Sequence, residues 1–396
     1  RTAAGTAAVS FPAAGGEAQR DSAGGFSPEP LEARELDYLL DPSLVALRPV
    51  EPRDAARMLV LHRGEDRLEH RQVRDLPEYL RSGDLMAVNR TRVEPRRLVV
   101  RRRGGGHGEA LLLEPLGGGR WRGMLKPSRR IRPGDRLAVC GPSGEVAGEL
   151  EVERRLEECW SLRWAGSDAA GGEGSPLERG GWMPLPPYIL KGRRESGLDP
   201  GVEELEDRRR YQTVYAEGSW RPSVAAPTAG LHFTEELLER LAAAGVERLS
   251  LELSVGAGTF RPVECKTLAE HPMEAEWCRV EPRELARLAA QDARRAEGLG
   301  RTLAIGTTSV RLLESLPREL PLQGEPLEFA TSLLIAPGFE FRRTDLLLTN
   351  FHLPRSTLLA LVGAMVGLER LKRLYSVAAS QGYRFYSFGD AMLVLP

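Results

Sequence analysis

Cysteine is scarce in this chain. The four present, Cys140, Cys159, Cys265 and Cys278, form no C-x-x-C pair and have no histidine at zinc spacing. That argues against a disulfide framework and a structural zinc, and makes a reducing cytosol the default compartment. Net charge is almost absent too, at a formal −1 over 396 residues, so any grip on nucleic acid has to come from local patches. No apolar run reaches transmembrane length. The longest, Leu358 to Leu368, is about two-thirds of that and reads as a buried helix, which leaves the membrane out as a partner. Residues 1–30 are rich in Ala, Gly, Ser and Pro without periodicity, and lack a basic start followed by an apolar core; they read as a disordered leader rather than a signal peptide. Also missing are a G-x-x-x-x-G-K-[ST] phosphate loop, a G-x-S-x-G nucleophile elbow, and any cluster of carboxylates, His or Cys that would hold a metal.

What is present is an ordinary apolar fraction of 41% and enough length for about two domains. Arg57 to His62 reads as a buried strand, Gln72 to Leu80 as a short helix and Asp84 to Asn89 as a strand. Six short β-rich runs follow, Arg97–Arg101, Ala110–Glu114, Trp121–Leu125, Arg136–Val139, Val146–Val152 and Cys159–Trp164, separated by Gly-rich turns. Their spacing predicts a small antiparallel β-barrel. An α/β pattern resumes afterwards, so the barrel (93–164) is inserted into a main domain made of 31–92 and 165–396, with 165–180 as a linker. The insert is also the basic part. Arg92, Arg96, Arg97, Arg101, Arg102 and Arg103 crowd one arm, and Lys126, Arg129, Arg130 and Arg132 another, with few carboxylates between them; this predicts a phosphate-backbone footprint.

Beyond the barrel, Met183 to Ile189 carries three prolines in four residues and reads as rigid and extended. The apolar piece Val224–Ala226 reads as a short strand that breaks on Pro227-Thr228-Ala229-Gly230, and Thr234 caps a helix with Glu235 and Glu236 in its first turn. A strand from Arg248 to Val255 ends in Gly256-Ala257-Gly258-Thr259. Another, Thr302 to Ile305, ends in Gly306-Thr307-Thr308-Ser309. A third, Leu346 to Leu348, ends in Thr349-Asn350-Phe351-His352, with Ser356 capping the next helix. Helices are expected over Pro282–Ala296, Val310–Leu316 and Leu368–Ser380, and a last strand over Arg384–Phe388. Alternating β and α implies parallel strands, which puts all four turns on one face, where such sheets bind ligands. Small residues, hydroxyls and N–H donors without metal ligands fit a polar, ribose-bearing ligand.

Seven motifs then carry a resemblance: M-P-L-P-P-Y-I, R-Y-Q-T-V-Y-A, S-V-A-A-P-T-A-G-L-H-F-T, V-G-A-G-T-F-R-P-V, I-G-T-T-S-V-R-x-L-E-S, T-N-F-H-L-P-x-S-T-L-L and Y-x-F-Y-S-F-G-D-A-M-L. From about Leu36 to the C-terminus the chain resembles the S-adenosylmethionine:tRNA ribosyltransferase-isomerases of the queuosine pathway. The resemblance implies a barrel-like α/β main domain with the inserted β-barrel. It also implies transfer and isomerisation of the ribosyl moiety of S-adenosylmethionine onto 7-aminomethyl-7-deazaguanine in a tRNA with a GUN-type anticodon, giving epoxyqueuosine, adenine and methionine. A monomeric cytoplasmic enzyme follows, with S-adenosylmethionine as substrate and no cofactor. Under that chemistry His232 and His352 are the titratable groups expected nearest the proton transfers, and Asp390 is a further acid or hydrogen-bond anchor. The turns Thr228–Gly230, Gly256, Gly258, Thr259, Thr307, Thr308, Ser309 and Asn350 hold ribose and the methionine carboxylate. Arg210, Tyr211 and Gln212 orient either ligand, and Arg311 takes a carboxylate or phosphate. Arg96, Arg97, Arg101, Arg102, Lys126, Arg129 and Arg130 meet tRNA.

Departures from the family pattern cluster near the turns. Leu253-Ser254-Val255-Gly256 stands where L-H-V-G is usual, and His271-Pro272-Met273-Glu274-Ala275-Glu276 where H-x-M-H-x-E is usual. Arg90 replaces an Asp, Val45-Ala46-Leu47 lacks a glutamine, and two extra residues lie around Trp220. With both histidines gone, Glu274 is the replacement base if burial raises its pKa. Two other readings stay open: a diverged homologue acting on another S-adenosylmethionine-linked or nucleoside substrate, and a non-catalytic RNA-binding protein using the arginine-rich barrel.

Overall fold

The computed structural model describes residues 31–396 apart from 130, 166–175, 199, 219, 222, 257 and 259–261. The expected leader, most of the 165–180 linker, Arg130 and Thr259 lie outside the described residues. Strand β1 (Arg57–His62) is an apolar run because both its faces are covered: Leu59 and Leu61 enter one core, Met58 and Val60 the other. Strand β2 (Arg67–Gln72) pairs antiparallel with it as a polar edge. A 3-10 turn, Val73–Tyr79, stands where the short helix is expected. Strand β3 (Leu85–Asn89) is again buried on both sides, with Leu85 and Ala87 in one core and Met86 and Val88 in the other.

The chain then leaves for the insert. Strands β4 (Arg97–Arg102), β5 (His107–Gly117), β6 (Arg120–Lys126), β7 (Arg136–Cys140), β8 (Val146–Leu156) and β9 (Cys159–Ala165) pair antiparallel, and a β4–β7 pairing closes the barrel. Its interior is a separate cluster that includes Leu98, Val100, Leu112, Leu137, Leu150 and Leu162. All six runs read from the sequence are strands. After α1 (Pro176–Gly180) comes the two-residue strand β10 (Gly181–Trp182), which adds to β4.

Back in the main fold come α2 (Pro187–Glu195), α3 (Pro200–Arg210), α4 (Glu235–Ala243), β11 (Glu247–Ser254), β12 (Glu276–Val280), α5 (Pro282–Ala296), β13 (Thr302–Ile305), α6 (Thr307–Ser315), β14 (Leu327–Thr331), β15 (Leu346–Asn350), α7 (Thr357–Val366), α8 (Leu368–Ser380) and β16 (Ala391–Leu395). Nine strands form one sheet in the order β14-β12-β11-β3-β13-β15-β16-β1-β2. Helices α5 to α8 cover one face; α4 and the Val73–Tyr79 turn cover the other. Thr234 and Ser356 cap α4 and α7, accepting N–H bonds at 3.1 and 3.2 Å.

The α/β class and the inserted antiparallel barrel stand, while the main sheet is mixed. Strands β11, β3, β13 and β15 run parallel to one another; β16 turns back against β15 and pairs parallel with β1, and β2 returns against β1. Three local readings change as well. Pro187 opens α2, because proline at a first helical position loses only an N–H that the helix does not use. Only Met183–Pro186 stays non-helical. Val224–Ala226 makes no strand, and Thr228–His232 is a 3-10 turn. The last strand starts at Ala391, because Tyr383, Phe385 and Phe388 are drawn into cores from an irregular turn.

Candidate active site

Three of the four Gly/Thr/Asn turns line one small cleft, and the second abuts it. Pro227, Thr228 and Ala229 come from the first, Gly306, Thr307 and Thr308 from the third, and Thr349 to His352 from the fourth; Val255, just before the second, also lines it, while Gly256 faces the neighbouring groove. Tyr188 from α2 and Tyr386 with Ser387 from the turn before β16 close it. Sequence reasoning missed those last three. The signal for them lay in the motifs M-P-L-P-P-Y-I and Y-x-F-Y-S-F-G-D, whose tyrosines look like core. Among the described residues the lining holds no carboxylate, lysine or arginine.

The third turn is built to face a ligand. Gly306 sits at φ 82°, a conformation that favours glycine, and as the N-cap of α6 it has no side chain to cap the helix. The first-turn N–H groups are therefore left to a ligand at the positive end of the helix. Beside them the Oγ1 of Thr308, a residue only 7% exposed, has no hydrogen-bond partner. A buried orphan hydroxyl beside uncapped N–H groups is a seat for a small anion such as a carboxylate. Ser309 does not share in it, because its Oγ donates to the Ile305 carbonyl at 2.8 Å.

The fourth turn meets the first through Asn350. Its Nδ2 donates to Nε2 of His232 and to the Tyr386 carbonyl, both at 3.1 Å, and its Oδ1 accepts from Thr228 Oγ1 at 3.1 Å. His232 therefore stands one hydrogen bond behind the cleft, with Nε2 as acceptor. Burial, reinforced by Arg384 and Arg53, holds its pKa down to about 4. His352 lines the cleft with Nε2 2.8 Å from Thr349 Oγ1, and burial holds it down to about 3. Both rings are neutral at physiological pH and poor bases there. Tyr38 donates to the His352 carbonyl and the Tyr375 hydroxyl accepts its N–H at 2.9 Å, so the ring's backbone is held from two sides.

Several expected site residues serve the scaffold. Arg311 is buried in an ion pair with Glu276, and its Nε donates to the Leu333 carbonyl at 3.0 Å, which leaves no free edge for a ligand. Gln212 accepts from the Val93 N–H at 3.1 Å and donates to the Val93 carbonyl, fixing the chain as it heads for the barrel. Tyr211 packs edge-on against Phe388 in a core, and Arg210 pairs with Glu206 at 3.0 Å. Gly230 is required by packing, since a Cβ there would fall 1.9 Å from the Tyr215 hydroxyl. Asp390 is an anchor, accepting from the Arg57 and Arg384 N–H groups at 3.1 and 2.8 Å. Glu274 lies over Gly258, whose Cβ would meet it at 2.6 Å. It is exposed and outside the cleft, so the burial on which its role as a base depended is absent.

Between the barrel and the main sheet runs a groove of about 870 Å³, bordered by Lys126, Met124 and Arg97 on one side and by Pro184–Pro187, Val224, Ala225 and Gly256 on the other. Its lining abuts the cleft through consecutive residues: Pro187 and Tyr188, Ala225 and Ala226, Val255 and Gly256. The basic footprint is narrower than the sequence implies, because strand pairing brings acids alongside. Arg97 pairs with Glu109 at 2.8 Å and Arg102 with Asp135 at 3.2 Å. Arg96 is buried, bonded to Glu94 and the Leu113 carbonyl at 2.9 and 2.6 Å. Arg101, Lys126 and Arg129 remain exposed.

The family model described as "Queuosine biosynthesis protein" matches residues 33–394. This chain belongs to that family. Among its relatives, the S-adenosylmethionine:tRNA ribosyltransferase-isomerase of Symbiobacterium thermophilum is 47% identical over 91% of this chain and 99% of its own length. The protein of the same name from Moorella thermoacetica is 45% identical over 92% and 100%. A crystal structure of an S-adenosylmethionine tRNA ribosyltransferase from Thermotoga maritima is similar at 33% identity and a TM-score of 0.48, covering 91% of this chain and all of that one (100%). Membership in the queuosine family thus spans both the sheet that carries the cleft and the barrel above the groove. Among the described residues, no helix is long and apolar enough to cross a membrane.

Proposed function

We propose that this chain transfers the ribosyl moiety of S-adenosylmethionine to 7-aminomethyl-7-deazaguanine in the anticodon of a tRNA and isomerises it to epoxyqueuosine, releasing adenine and methionine. The observation that carries this reading is the uncharged cleft with an anion seat at one end, opening into a groove under the barrel. The uncapped start of α6 and the Thr308 hydroxyl suit the methionine carboxylate. The Tyr188 and Tyr386 rings, 4.9 Å apart, offer π faces to a sulfonium without burying a counter-ion. Thr228 and Asn350, locked together, present polar atoms to ribose. The modified base enters from the groove.

Sulfonium is already a good leaving group, so methionine departs without help from a metal. The amine of the modified base attacks in its neutral form. His232 and His352, both neutral, act by orienting Asn350 and Thr349 rather than by exchanging protons near pH 7. The finer parts of the reading are a tRNA with a GUN-type anticodon, a monomer working in the cytoplasm, and no cofactor beyond the S-adenosylmethionine consumed. Relatives named for this activity, matched over nearly their whole length, support the enzyme over a bare RNA binder.

The test mixes purified protein with S-adenosylmethionine and tRNA carrying the aminomethyl-deazaguanine, and follows adenine by chromatography. Adenine should appear only when both substrates are present. Binding of S-adenosylmethionine without adenine release would overturn the reading in favour of a different acceptor.

A further inference from the structure

On the outward side of β12, alternate residues point away from the core. Glu276, Cys278 and Val280 are buried, while Trp277 is 38% exposed and Arg279 is half-buried. The segment at Trp220 and Arg221 lies over this face, its two N–H groups donating to Glu252 Oε1 at 2.6 and 3.3 Å. The Trp220 and Trp277 rings meet edge to face at 6.2 Å, and the Arg221 guanidinium stands 4.7 and 4.2 Å from their centroids. Arg279 approaches Trp220 as well, at 5.8 Å, but is held by Glu281 and Glu328 at 3.1 and 3.2 Å. Among the described residues no carboxylate lies within ion-pair distance of Arg221.

We propose that Trp220, Arg221 and Trp277 form a stacking platform for an unpaired nucleotide of the RNA substrate, next to the base that enters the groove. Two indoles and an arginine on a protein surface match the two parts of a single-stranded nucleotide: a base to stack on and a phosphate to neutralise. The position fits. Arg221 is three residues from Val224, at most about 11 Å of chain, and Val224 lines the groove. Trp277 pairs directly with Ser254, two residues before groove-lining Gly256. Three positions that depart from the family pattern also meet here: Ser254, the stretch around Trp220, and Arg90, which reaches Glu217 and Glu252 at 2.7 and 3.5 Å beneath the platform. The platform is therefore a feature by which this chain grips RNA in its own way.

The inference rests on the proposed tRNA substrate, so its test reads the two separately. The full chain is titrated with a fluorescently labelled RNA hairpin bearing an anticodon-like loop, and with a blunt RNA duplex carrying the same number of phosphates. Trp277→Ala and Arg221→Gln should each weaken hairpin binding by about 5- to 150-fold, leave duplex binding unchanged, and leave S-adenosylmethionine binding unchanged. Trp277→Phe should recover most of the loss, which a β12 edge that had merely lost its shape would not do. Equal hairpin affinity in wild type and Arg221→Gln, with adenine release intact, would overturn the platform and leave the transferase standing. No hairpin binding by wild type, with no adenine release, would overturn both.

Discussion

Replacing Arg311 by methionine separates a ligand-binding role from a structural one. Arg311 and Glu276 are 5% and 4% exposed, and the guanidinium also serves the Leu333 and Thr331 carbonyls at 3.0 and 3.5 Å. Removing the cation strands a buried carboxylate, a loss of about 3–5 kcal/mol. At about 2 °C per kcal/mol, the lower end for large domains, thermal unfolding should move down by about 6–10 °C. The carboxylate has a second duty, since its Oε1 accepts the Gly256 N–H at 3.2 Å. Glutamine retains that acceptor without the charge. The double variant Glu276→Gln with Arg311→Met should therefore recover most of the lost stability, because it removes the unpaired ion and leaves the Gly256 turn tied. The assay is a melting curve for wild type, single and double variants, with S-adenosylmethionine binding measured by calorimetry well below each transition. An Arg311→Met protein that melts like wild type but no longer binds S-adenosylmethionine would refute the structural assignment and restore Arg311 as a ligand.

Other outcomes follow from the same geometry. Burial, only partly offset by the Met183 N–H and Arg208, raises Glu204 to about 7, so the folded state holds a proton that the unfolded chain has released. Stability should therefore fall as pH rises from about 4.5 to 7, and Glu204→Gln should flatten that slope in denaturant titrations across the range. The His232 and His352 rings should remain neutral at pH 6 by nitrogen-15 NMR, with midpoints near 4 and 3. Below pH 6.5 these depressed values favour the unfolded chain, which binds the protons the folded state refuses. Glu274→Ala should keep adenine release within about tenfold of wild type, since a general base contributes about 100-fold or more; a larger loss would make Glu274 the base.

The barrel was legible because each of its strands is a short apolar alternation between glycine turns, although that local pattern does not reveal that β6 pairs with β9 rather than β7. Strand β2 was not, because Arg67-Leu68-Glu69-His70-Arg71-Gln72 is a polar edge paired on one side only. The sheet's change of direction was equally hidden. Nothing in Ala391–Leu395 distinguishes a strand that returns against β15 from one that runs with it. In the site, the Thr, Gly and Asn turns announced themselves by composition, and three of the four line one cleft with the second beside it. Their supports did not. Arg311 reads as a ligand until Glu276, 35 residues away in sequence, is seen beside it, and Gln212 reads as one until Val93 is.

The insert leaves and rejoins the main fold at a single place: Arg97, where β4 begins, is the direct strand partner of Trp182, where β10 ends. Gln212 fixes the outgoing chain at Val93, and both Glu204 oxygens fix the returning chain at the Met183 N–H, at 2.9 and 3.0 Å. A module whose two ends lie side by side in this way can be lengthened, reshaped or exchanged without stretching the fold that hosts it. The surface that meets the polymer and the cleft that meets the small molecule are thus free to evolve at different rates, one clamp apart.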